Sequence, residues 1–267
     1  MNALRLYSRY VRASLRGQMQ YPGPFLLTSL GSFLATGVDF IAVWALFARF
    51  RQVAGWRFGE VALFYAVIGV SFALADGLTR GFDVFGEQFV KTGDFDRVLV
   101  RPRSTVLQLL GYEFRATRIG RLAQALVVWA IAANLTSIVW TWEVWATLLF
   151  AVAGGMALFC GILVLQATLA FWTVESLEIA NTLTYGGVEA AQYPLDLYAR
   201  WFRNFLTFVV PLGCVSYFPI AAVLGRAERT GVAAELLRLT PAFGFVFLGV
   251  ALWLWRFGVR HYASTGS

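Results

Sequence analysis

The feature that most constrains this chain is the separation of its charge from its apolar runs. Stretches near the length of a bilayer crossing bracket one charged interval, Gly81 to Arg121. A helix needs about 20 apolar residues to cross the hydrocarbon core. Backbone polar groups at that depth must be satisfied internally, which leaves helices or closed barrels. Hydrophobic residues make up 59% of the 267 positions and charged ones 14%, where soluble domains carry about a quarter. The chain reads as an all-α integral membrane protein.

The charged interval has a grammar of its own. It holds Lys91, the only lysine, with Arg97, Arg101, Arg103, Arg115, Arg118 and Arg121, and the acids Asp83, Glu87, Asp94, Asp96 and Glu113. Phe82, Phe85 and Phe89 fall on one face of a short helix, and Asp83, Glu87 and Lys91 fall off it. Thr92-Gly93 reads as its stop, since glycine accepts the left-handed conformation needed there. Asp94 is placed to cap a second turn that Pro102 ends. Two stiff pieces joined by glycine can pass on a push. The plainer reading is an amphipathic helix resting on lipid headgroups.

Taken in order, residues 1–24 form an interfacial helix and turn. Arg5, Arg9, Arg12 and Arg16 line up in one stripe toward lipid phosphates, beside Leu4, Tyr7, Val11 and Leu15. Residues 25–258 form one transmembrane unit with six expected crossings: Phe25–Phe47, Val61–Leu78, Leu122–Trp140, Ala146–Trp172, Phe205–Leu224 and a last one from Thr240-Pro241 to Phe257. Pro211 and Pro219 interrupt the fifth and mark it as a gate or cavity wall. Residues 259–267 are a tail. With the N-terminus inside, sixteen of the 22 basic residues fall on inner segments and six on outer loops, which places both termini in the cytoplasm. Thr173–Arg203, with Tyr193 and Pro194, is then an inner loop.

Several chemistries are excluded. A P-loop needs lysine before serine or threonine, and Lys91 is followed by Thr92 but preceded by Val90 rather than glycine. Any ATP is bound by another chain. One histidine, His261, and two separated cysteines, Cys160 and Cys214, argue against a zinc site of the usual ligands. No histidine lies in a crossing to serve a serine protease, so Ser71 reads as a packing hydroxyl. The net charge of +7 follows from arginine on membrane flanks and calls for no nucleic acid.

Asp39 is the acid set well inside a crossing, where a charge costs about 2.5–3.5 kcal/mol. It serves either a transport route or a packing hydrogen bond, for instance to Thr36. Asp76 and Arg80 have the spacing of a helical ion pair. Ala153, Ala157 and Gly161 form a stripe of small residues for close helix packing, within the bundle or between two copies.

Together these features resemble the permease subunit of an ABC-2 type exporter. Gly93-Asp94-Phe95-Asp96 with Leu99, Arg101 and Pro102, and Val210-Pro211-Leu212-Gly213 to Tyr217-Phe218-Pro219, are similar to motifs of one subgroup of that family. The resemblance implies the ABC-2 (type V exporter) architecture in the cell membrane. It also implies a dimer of permeases, identical or similar, over two P-loop ATPase subunits that hold ATP and magnesium, with no cofactor in this chain. On that resemblance Phe85, Glu87, Phe89, Asp94, Asp96 and Arg97 dock the ATPase, Tyr193 and Pro194 form a second contact, and Asp39, Pro211 and Pro219 border the pathway. The rival classes are an ATPase-independent channel or ion-coupled carrier using Asp39, and a non-transporting membrane scaffold.

Overall fold

A computed structural model describes residue 12 and residues 16–113, 117–173 and 177–262. The first long helix, α1 (Pro22–Phe50), opens with proline, whose missing N–H has no helical acceptor to lose in a first turn. A short antiparallel hairpin follows, β1 (Gln52–Val53) and β2 (Trp56–Arg57). Helix α2 (Phe58–Leu78) starts where the Glu60 carboxylate accepts the Arg57 backbone N–H at 2.7 Å. It is apolar around its whole circumference and buried on nearly every face, as a central helix must be.

After α2 the charged interval folds as short pieces: α3 (Arg80–Asp83), a wide π-helical turn Gly86–Val90, α4 (Phe95–Val100) and α5 (Thr105–Leu110). Helix α6 (Thr117–Leu135) packs between α1 and α2. Helix α7 (Trp142–Leu169) is capped by the Thr141 hydroxyl, which accepts from the Val144 N–H at 3.4 Å. Then come α8 (Leu177–Ala191), a 3-10 turn Leu195–Leu197, α9 (Arg200–Asn204) continued by a π turn Phe205–Val209, α10 (Leu212–Val215) and α11 (Tyr217–Val223). A 3-10 turn Ala227–Thr230 and α12 (Ala234–Leu239) lead into α13 (Ala242–His261), which lies along α7.

Among the described residues four helical runs are long and apolar enough to cross a membrane: Pro22–Phe50, Phe58–Leu78, Trp142–Leu169 and Ala234–His261. The expected third crossing, Leu122–Trp140, is shifted toward the N-terminus as α6. That helix takes Arg118 and Arg121 into its first turns and stops at Leu135. The expected cap of the last crossing also differs, because the Thr240 hydroxyl donates to the Cys214 and Leu237 carbonyls.

The largest departure concerns the fifth crossing. Phe205–Leu224 does not run from one end of the bundle to the other. Its two arms, Arg200–Val209 and Leu212–Val223, are bent away from one line by 75° at Pro211. Asp196, just before the hairpin, pairs with Arg229, just after it, at 3.3 Å. Entry and exit therefore share one end, which is that of the β1–β2 hairpin, where Arg229 also reaches the Ala54 carbonyl at 3.2 Å. Helix α8 precedes the hairpin. Phe171 belongs to the aromatic cluster of the charged end and Asp196 to the hairpin end, so the two flanks of the expected inner loop Thr173–Arg203 lie at different ends of the bundle.

Glycine permits the closest helix contacts. A Cβ on Gly154 would collide with the Pro241 carbonyl, and one on Gly244 with the Gly154 carbonyl, so α7 and α13 meet backbone to backbone. The expected stripe is used in the same seam: Gly161 faces Phe247 of α13, within the chain. Gly120 lets α6 press against the Ser29 carbonyl of α1 in the same way.

Candidate functional site

At the charged end, Phe82, Phe85 and Phe89 do share a face, but that face points inward. Phe85 stacks edge-on against Phe95 at 4.9 Å, Trp255 at 5.0 Å and Phe171 at 5.2 Å. Phe82 meets Trp255 at 5.1 Å, and Phe95 meets Tyr262 at 5.0 Å. These rings form a second apolar core with Val164, Ala167 and Ala251, separate from the core of the bundle. The Trp255 indole N–H donates to the Thr105 hydroxyl at 3.1 Å, and Gln108 ties α5 to the Val98 carbonyl at 3.0 Å. Phe85 and Phe89, expected to dock the ATPase, are therefore buried anchors of this element. Trp255, Phe171 and Tyr262 were missed by sequence reasoning, since nothing local links them to the interval.

The exposed rim of this element is Glu87, Gln88, Lys91, Thr92, Arg97, Leu99 and Val100. Gly93 has φ +73°, the left-handed stop that its position suggests. Asp94 precedes α4 but does not cap it; its carboxylate pairs with Arg97 at 3.1 Å. Asp96 lies half-buried beside it. Leu99 and Val100 stand exposed on this rim, at 41% and 85%.

Behind the rim lies a charged network. Asp76 does not pair with Arg80. Arg80 is held by Asp83 and approaches Glu113 at 3.9 Å. Asp76 instead receives Arg118 at 2.5 Å and Arg121 at 3.6 Å, both from α6. Arg121 also lies over the Phe72 ring at 5.3 Å and lines a cavity deeper in the bundle. The network thus runs from the interval into the bundle.

That cavity, about 360 Å³, opens between α1, α2, α6 and α8. Asp39 lines it, with Thr36, Tyr65, Gln124, Tyr185, Glu189, Gln192 and Tyr193. Thr36 is not the partner of Asp39: its hydroxyl donates to Ser32 at 3.0 Å, and its carbonyl accepts from the Tyr65 hydroxyl at 3.1 Å. Tyr193 faces this cavity, and burial, ahead of the fields of Glu189 and Asp39, holds its phenol above the usual range and neutral. Pro194 leads into the turn Leu195–Leu197, whose Asp196 pairs with Arg229.

A second cavity of about 410 Å³ is walled by apolar residues of α7, α8 and the re-entrant hairpin, including Leu165, Phe202, Phe205 and Leu212, with Gln166 and Thr184 as its polar members. Pro211 and Pro219 are buried in the hairpin, where Pro211 makes the bend. At this end Trp56 is fully buried beneath Arg226 and Arg229, whose guanidinium carbons lie 4.7 and 5.0 Å from its ring. Arg226 also pairs with Glu60 at 2.7 Å, and Tyr217 donates to Asp196 at 2.5 Å. Residues so far apart in the chain gave no local signal. Of the arginines expected to face lipid headgroups, Arg12 and Arg16 are exposed, and Arg5 and Arg9 lie outside the described residues.

A family model described as ABC-2 family transporter protein matches residues 33–266, which takes in the cavities, the charged interval and the re-entrant hairpin. No curated protein and no solved structure matches the chain. With a matched range that spans nearly the whole bundle, the chain belongs to the ABC-2 transporter family as a multi-pass membrane permease.

Proposed function

We propose that the chain forms the translocation pathway of an ABC exporter and is driven by separate ATPase subunits docked on its charged interval. One observation carries this reading: a charged rim is exposed while its underside is locked by aromatic rings to the ends of α7 and α13. A load on Glu87, Lys91 or Arg97 is passed to both helices through Phe85 and Trp255. The exposed Leu99 and Val100 suit a protein partner. Docking falls on Glu87, Asp94, Asp96 and Arg97 with Gln88 and Lys91. Tyr193 and Pro194 belong to the pathway.

In this reading α1, α2, α6, α7, α8 and α13 cross the cell membrane and both termini are cytoplasmic. Moving Arg200 and Arg203 to the outer end still leaves most of the 22 basic residues inside. Two permeases, identical or similar, sit over two ATPase subunits that bind ATP and magnesium. Asp39 borders the pathway, and Pro211 and Pro219 shape the hairpin that closes it outside.

The test is affinity purification from native membranes with mass spectrometry. A near-stoichiometric P-loop ATPase is expected, and Glu87→Lys with Asp94→Lys should release it while the chain stays monodisperse. A chain that purifies alone and moves solute without ATP would overturn the reading and favour a carrier built on Asp39.

A further inference from the structure

The first arm of the re-entrant hairpin, Arg200–Val209, has two chemically different faces. Phe202, Phe205 and Leu206 line the apolar cavity, while Arg203, Asn204 and Thr207 line a separate pocket of about 300 Å³. The returning arm closes that pocket with Tyr217 and Phe218, and the turns Leu195–Leu197 and Ala227–Thr230 complete it. Two guanidiniums, Arg203 and Arg229, border it against one carboxylate, Asp196. That carboxylate is already engaged: its Oδ1 accepts from the Tyr217 hydroxyl at 2.5 Å, and its Oδ2 faces Arg229 at 3.3 Å. Arg203 is the cation left over. Its side chain makes no ion pair and no hydrogen bond among the described residues, it is half-buried, and none of its nitrogens is sealed off. Such a guanidinium calls for an anion, and its planar fork suits a phosphate.

A separate observation concerns the mouth of the pocket. Phe208 lines it and is 81% exposed, with Val209 beside it at 60% and Trp201 on the same arm at 72%. A polar, net cationic recess therefore opens beside an apolar strip, on a chain that spans a membrane. The recess suits a charged head and the strip an apolar tail. A zwitterionic choline head would bring its own cation beside two guanidiniums, so the pattern favours a lipid of net negative charge. Asn204, exposed at the same mouth, adds an amide donor.

We propose that this pocket binds the headgroup of an anionic phospholipid, its phosphate held by Arg203 and Asn204 and its acyl chains lying along Phe208 and Val209. The site goes beyond the transporter reading and does not depend on it, since binding needs no ATPase.

The experiment is photolabelling of the purified full chain in phosphatidylcholine nanodiscs that hold a trace of phosphatidylglycerol with a diazirine on one acyl chain. Labelled positions are mapped by peptide mass spectrometry, and phosphatidylcholine with the same diazirine is the control. Label from phosphatidylglycerol should be enriched over the control at residues 201–209, and unlabelled phosphatidylglycerol should displace it while soluble glycerol 3-phosphate does not. Arg203→Gln should lower that labelling about tenfold, as loss of a charge-assisted hydrogen bond does. Arg200→Gln removes the same charge from an exposed neighbour outside the pocket and should leave labelling unchanged. The same pattern from both lipids, or equal loss in the two variants, would overturn the proposal. Displacement by glycerol 3-phosphate would overturn it too, by assigning the pocket to a free anion. The comparison of the two lipids uses the unmodified protein, so it decides the matter even where a variant misfolds. Enriched labelling of a chain with no ATPase partner would sink only the ABC reading; a co-purifying ATPase without enriched labelling would sink only this one.

Discussion

Asp76 shows what a single residue does at the charged end. Its side chain is 3% exposed and receives two arginines from α6. Removing one partner of such a buried group leaves charge uncompensated, at a cost of about 3–5 kcal/mol. Asp76→Asn should therefore lower the melting temperature markedly in detergent, while Arg97→Ala, whose side chain is 82% exposed, should cost about 0.2–1 kcal/mol. Equal melting temperatures for the two would contradict the assigned partners. The sequence pointed to Arg80 because four residues is one helical turn. Local spacing could not reveal that Asp83 holds Arg80, or that Asp76 faces α6. Asp39 was legible for the opposite reason, since an acid deep in an apolar run stands out without knowledge of any neighbour.

At the scale of elements, the charged interval behaves as a rim on an aromatic keel. Phe85→Ala should destabilise the chain by about 3–5 kcal/mol through a cavity among Phe95, Phe171 and Trp255. Glu87→Lys should leave the melting temperature near that of the parent yet weaken ATPase capture. The account fails if these effects are reversed. Periodicity placed the three phenylalanines on one face, but whether that face meets solvent or protein depends on the distant ends of α7 and α13. The long crossings α1, α2 and α7 were readable because composition alone marks them. Helix α8 was not legible because it is only 15 residues long and carries Thr184 and Glu189, which line the two cavities. Its polarity is what a cavity wall requires. The prolines of 205–224 signalled a break correctly, and the arms return to the end where they began.

At the scale of the molecule, the bundle has two chemically different ends. One is the charged rim over the second core. The other is the Trp56 cluster, where Arg226, Arg229, Glu60 and Asp196 join the β hairpin to the re-entrant segment. Thr92→Cys and Leu197→Cys should therefore react with an impermeant maleimide from opposite sides of the membrane, Leu197→Cys in intact cells and Thr92→Cys only after permeabilisation. The native Cys160 and Cys214 are buried and free, and add no background. Labelling of both from one side would refute the path of α8. The most direct test of the central claim is a photo-crosslinking residue, benzoylphenylalanine, placed at Gln88 or at Leu197 in cells. The account predicts a crosslink from Gln88 to a P-loop ATPase and none from Leu197. No ATPase crosslink from Gln88, or one from Leu197, would contradict it.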